Sequence, residues 1–124
     1  MARLIRRFVV AVPLLTAGIV LSSCGSGGAV SDARASCRSV HAALVVEKKS
    51  QQPGLTSSQQ SQFQAQAMSD LLKATQPAAD ATSLDGSWNP LMTTINEAER
   101  VPLQNLVPAL TRLCKVADST SPYL

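Results

Sequence analysis

Aromatic residues are nearly missing from this chain: two Phe, one Trp and one Tyr among 124 residues, 3% of the total. Aromatic rings bring the largest buried areas per side chain, so any core here must be assembled from Leu, Val, Ile, Met and Ala. Histidine occurs once, at His41. A hydrolytic triad would have to pass through that single ring, and no Gly-x-Ser-x-Gly turn surrounds any of the serines. Haem ligation by His41 with Met68, Met92 or Tyr123 has no supporting spacing, and the Cys-x-x-Cys-His attachment pattern is absent. Glu97 and Glu99 lie two apart on a predicted helix and point in different directions, so they do not form an acid-base pair. No catalytic residue, metal ligand or cofactor is assigned, and the chain is not expected to be an enzyme. Strand-like alternation of β-branched residues and internal repeats are missing too, which leaves helices as the material of the fold.

The N-terminus supplies what the rest lacks, an apolar run. It reads MARLIRRFVVAVPLLTAGIVLSSC: Arg3, Arg6 and Arg7 form a basic head, and residues 8–21 are an apolar stretch of fourteen interrupted by Pro13. That is the layout of an export signal, and it is shorter than the roughly 20 apolar residues a spanning helix needs. The run ends in Leu21, Ser22, Ser23 and Cys24. This LSSC resembles the lipobox of bacterial lipoproteins, and the Ala- and Ser-rich style with the following CGSGG resembles small lipoproteins of actinobacterial type. The resemblance covers residues 1–24. It implies that residues 1–23 are a cleaved signal peptide, that the Cys24 thiol receives a diacylglyceryl group, and that the mature protein is held by lipid on the extracytoplasmic face of the cell membrane.

Removal of the signal also removes the apparent basicity. The chain has eleven Lys and Arg against eight Asp and Glu, and three of the arginines lie before Cys24, which leaves eight charges of each sign. With no basic excess and no basic run longer than Lys48-Lys49, a nucleic-acid partner has no electrostatic footprint.

Residues 24–31, the acylated cysteine and GSGGAVS, have the composition of a flexible tether, which fully extended would reach at most about 25 Å. A helical domain is expected over 32–118, with a frayed tail at 119–124. The first helix is predicted at about 31–50, with Val30, Ala33, Cys37, Val40 and Leu44 on one stripe. Pro53-Gly54 stops it, and Ser57 or Ser58 is expected to cap a second helix over about 57–76, with Phe63, Ala67, Leu71 and Ala74 inward and Pro77 as its end. A short extra turn near 79–84 precedes the turn signal Asp85-Gly86. The third helix is predicted at about 90–100, with Asn89 as cap, Pro90 at its first position, and Leu91, Met92 and Ile95 inward. The fourth follows in VPLQNLVPALTRLCKVAD, where Leu103, Leu106, Val107, Leu110, Leu113, Cys114 and Ala117 form the broadest apolar face. Pro108 is its anomaly, predicting a kink or a helix that starts in earnest only afterwards. The fold expected is an all-α four-helix bundle.

In an up-down-up-down bundle the start of the first helix and the end of the fourth lie at the same end. Cys37 and Cys114 therefore come together, and export favours their oxidation to a structural disulfide. Trp88, in DGSWNP, is expected either as a lid over the core or as an exposed contact for a partner. Two functional classes follow. One is a non-enzymatic interaction module attached to the membrane by its lipid, with an envelope protein as partner. The other is a carrier of an apolar ligand, lipid or haem, between the helices.

Overall fold

The computed structural model describes residues 26–120. The expected signal peptide over 1–23, Cys24, Gly25 and residues 121–124 of the tail lie outside the described residues. The chain within these limits is an all-α bundle: α1 (Ser26–Ser50), α2 (Ser57–Leu72), α3 (Thr75–Leu84), a single 3-10 turn (Gly86–Trp88), α4 (Asn89–Glu97) and α5 (Leu103–Ser119). The four expected helices are present as α1, α2, α4 and α5. The segment expected to be a short extra turn is a ten-residue helix, α3.

Helix α1 begins at Ser26 rather than near residue 31. The tether expected over 24–31 is thus largely helical, and its Ala29 and Val30 are core residues, 0% and 5% exposed. Two glycines open this helix at a propensity cost of about 1 kcal/mol each. Packing overrides that cost, because Ala29 and Val30 extend the buried stripe of Ala33, Cys37, Val40, Ala43 and Val46. A Cβ added at Gly28 would lie 3.3 Å from Leu84 Cδ1 on α3. Leu84 is 47% exposed and can turn its methyl away. Gly28→Ala is therefore expected to raise the unfolding free energy by up to about 1 kcal/mol in urea titration; a loss of stability would mean that Leu84 does not give way to the added methyl.

Gln51 to Leu55 reverse the chain around Gly54, whose φ of 86° falls in the left-handed region that glycine alone adopts without strain. The cap of α2 is Thr56, one residue before the serines expected to serve. Its Oγ1 accepts from the Gln59 N–H at 3.1 Å, and the Gln59 side chain accepts from the Thr56 N–H at 3.0 Å, a reciprocal capping box.

Pro77 does end α2, but one turn upstream of itself. A proline ring crowds the carbonyl four residues back and offers it no N–H. Here that carbonyl belongs to Lys73, where α2 stops. Pro77 then sits in the first turn of α3, where a missing N–H costs nothing. The Ser36 hydroxyl on α1 donates to the Ala74 carbonyl at 2.8 Å, closing the break from the side. Ser36 thus meets residue 74 and Gly28 meets residue 84, so α2 and α3 run in succession antiparallel to α1.

The Asp85 carboxylate accepts from the Ser87 N–H at 2.9 Å and caps the turn that leads into α4. The backbone N–H and hydroxyl of Ser87 hold its carboxyl below the usual carboxylate range. This cap is complete at neutral pH and is lost as pH falls through that lowered value. Trp88 forms the end of the turn, Asn89 is the first helical residue and Pro90 the second, in place of the expected Asn89 cap. Leu91 and Ile95 are buried, and Met92 is half-buried against the core.

Helix α5 starts at Leu103 and carries Pro108 in its interior. The carbonyl deprived of a partner is that of Gln104, an exposed residue in the first turn, where water can take the bond. Nine of the twenty buried apolar residues are alanine, so the helices pack through small contacts and the core is thin. The Cys37–Cys114 disulfide staples it, with Cα atoms 5.4 Å apart across 77 residues of sequence. Because α2 and α3 share one direction, the parity that brings these cysteines together survives the additional helix.

Candidate functional site

One face of α1 runs through Arg34, Cys37, His41, Leu44, Val45 and Lys48, and its first part, from Arg34 to His41, meets α5. At its N-terminal end the Arg34 guanidinium donates to the Ala117 carbonyl at 3.0 Å through Nε and to the Thr120 carbonyl through Nη2. These are terminal carbonyls with no partner inside α5, and a cation there also complements the helix dipole. Below it lies the disulfide, with both cysteines 0% exposed. His41 Nε2 is 3.0 Å from Asp118 Oδ2, and both side chains are about half exposed. A solvated pair of this kind contributes about 0–1 kcal/mol.

Beyond His41 the two helices separate. A groove of about 380 Å³ opens there, lined by His41, Leu44, Val45, Glu47, Lys48, Gln51, Val107 and Thr111. Its walls are mainly Leu44, Val45 and Val107; its rim carries His41 and Lys48. Glu47 is 5% exposed, an unusual position for a carboxylate. Its Oε1 accepts from the Gln51 amide at 3.2 Å, and its backbone carbonyl accepts from the Ser50 hydroxyl at 2.6 Å. Glu47 also lines a second hollow, of about 240 Å³, with Gln64, Met68, Pro102, Leu103 and Gln104. A shallow depression beside His41, lined also by Thr111, Lys115, Asp118 and Ser119, continues the groove toward the end of α5.

The other sequence candidates are scattered around this seam. Trp88 is 7% exposed and packs into the core as its lid, which leaves little of the ring for a partner to touch. Its indole N–H is the one buried side-chain polar atom among the described residues without a hydrogen-bond partner. Met68 and Met92 are half-buried on α2 and α4, and neither lines the groove that holds His41. Glu97 lies 3.4 Å from Arg100 in an exposed pair. Among the described residues no cluster of three or more His, Cys, Asp or Glu could hold a metal ion, and no helix is long and apolar enough to cross a membrane. The described hollows are open at the surface of the bundle, and Val40, Leu71, Leu91 and Leu110 are fully buried in its core.

No known protein family, curated protein or solved structure matches the chain.

Sequence reasoning missed the partners of Arg34 and His41 and the burial of Glu47. Each depends on a residue of α5 or α2 that sequence spacing does not place. A signal for Glu47 was available in part: it follows the buried stripe at Val40, Ala43 and Val46, and a helix stripe about 100° wide takes in the position after it.

Proposed function

We propose that the chain is a lipid-anchored protein of the outer face of a bacterial cell membrane, and that its helical domain acts by contact with another envelope protein, without catalysis. The observation that carries this reading is the disulfide. Such bonds persist in non-reducing compartments, which agrees with an export signal at the N-terminus. The bond also employs two of the three cysteines in a structural role, and Cys24, at the end of the apolar run in LSSC, serves as the acyl acceptor.

The start of α1 sharpens the consequence. Two peptide links join Cys24 to Ser26, a span of at most about 7 Å. The bundle is then held with the N-terminal end of α1 against the lipid surface, with no stalk. That end also carries the C-terminal end of α3, and the groove lies farther along α1. The α1–α5 seam offers a lateral contact face on which Val45 is 57% exposed, and Val116, 51% exposed, lies on the outward side of α5.

The test is metabolic labelling with a fatty acid. Wild-type chain is expected to take up label and to sediment with membranes, since each buried methylene of an acyl chain contributes about 0.8 kcal/mol. Cys24→Ala is expected to lose the label entirely. Equal labelling of the two chains would refute the anchor. Crosslinking in intact cells through a photoreactive residue at Val45 or Val116 then tests action by contact: recovery of one envelope protein supports it, and full complementation of a deletion strain by a soluble chain added to the medium refutes it.

A further inference from the structure

Glu47 combines three features. It is 5% exposed, it lines two neighbouring hollows, and no Lys, Arg or His nitrogen lies within 4 Å of it among the described residues. Its one side-chain hydrogen bond is the Gln51 amide on Oε1; Oε2 has none among the described residues and, unlike the Trp88 indole N–H, is not fully enclosed, so it is open to a ligand. A carboxylate oxygen that is accessible, has no cation beside it and is held on a mostly buried side chain can accept a charged donor with little rearrangement. Lys48 follows it in sequence, but neighbours on a helix project in different directions, and the Lys48 side chain stays on the rim. The surroundings supply what an amphiphile needs. Leu44, Val45 and Val107 form an apolar wall beside the carboxylate, and the groove's volume of about 380 Å³ lies within the usual range for small-molecule sites, about 300–1,000 Å³.

We infer that the α1–α5 groove is a binding site for a primary ammonium group carried on a short apolar chain, with Glu47 as the counter-ion. The ammonium offers three donors, enough to reach Oε2 and the Thr111 hydroxyl, while its alkyl chain lies along Leu44, Val45 and Val107. A hydrogen bond between two ionised groups is about twice as strong as a neutral one, which gives the site a preference for the amine over an alcohol of the same length. An alkyl carboxylate would meet Glu47 as a like charge and be rejected. The inference does not depend on the lipid anchor.

The experiment follows the methyl resonances of Leu44, Val45 and Val107 in the purified mature chain on addition of hexylammonium, hexanol or hexanoate. Hexylammonium is expected to shift them saturably, with affinity about tenfold above hexanol, and hexanoate is expected to leave them in place. Glu47→Gln preserves size and one acceptor, and is expected to bring the amine down to the affinity of the alcohol. Val45→Lys, which sets a cation on an exposed part of the wall, is expected to weaken amine binding without touching the core. Equal binding of amine and alcohol in the wild type, unchanged amine affinity in Glu47→Gln, or no shift at millimolar hexylammonium would each overturn the site. If Glu47→Gln proves misfolded, the Val45→Lys result and the wild-type ranking of the three probes decide.

Discussion

Replacing both Cys37 and Cys114 by alanine is expected to lower the unfolding free energy by about 4–5 kcal/mol. The bond closes a loop with a sequence separation of 77 residues, and in the chain-entropy model a loop of that length restricts the unfolded ensemble by about this amount. Domains of this size are stable by about 5–15 kcal/mol in total, so the variant should sit near the lower edge of folding. The thin core makes the consequence worse. Alanine supplies nine of the twenty buried apolar residues, and each contributes little apolar area to the packing that remains. Two measurements check it. Mass spectrometry of the freshly isolated, non-reduced chain should show the bridged peptide pair, and urea titration should show a large drop in midpoint on reduction. Free thiols at both positions, or a drop below about 1 kcal/mol, would remove the disulfide from the account of stability.

Leu110→Ala is expected to cost about 2–5 kcal/mol, with Val116→Ala, six residues later on the same helix, staying within about 0.5 kcal/mol. Leu110 is 0% exposed and Val116 is 51% exposed. The cost depends on how far the neighbours can collapse into the gap. Here the core neighbours include many alanines, which have no side-chain torsion to rotate into it, so the loss should fall toward the upper part of the range. The comparison also tests the register of α5 beyond Pro108. Equal effects of the two substitutions in urea titration would refute the register.

The apolar face of α5 was legible in the sequence because it is a local property: Leu103, Leu106, Leu110, Leu113, Cys114 and Ala117 recur at helical spacing, and all of them turn wholly or partly inward. Pro77 was legible in kind but not in place. Its ring acts on the carbonyl of Lys73, so the helix ended a turn earlier than the proline itself, and the residues freed by that break became the first turn of α3. Residues 26–31 were misread because glycine and serine weigh against a helix locally. The apolar area of Ala29 and Val30, together with the close approach of Leu84 to Gly28, reverses that balance, and it exists only once α3 lies alongside.

By itself, then, the sequence determined the helical class, the inward stripes and, through the parity of helix directions, the pairing of Cys37 with Cys114. The tertiary structure alone decided where α1 begins, that α3 is a full helix, that Arg34 caps α5 and His41 pairs with Asp118, and that Glu47 is buried beside an apolar groove. The division follows sequence distance. Periodicity, caps and proline effects act within about one or two helical turns and can be read along the chain. The partners of Arg34 and His41 stand 83 and 77 residues away, and whether a carboxylate such as Glu47 faces water or another helix depends on which surface packing brings over it.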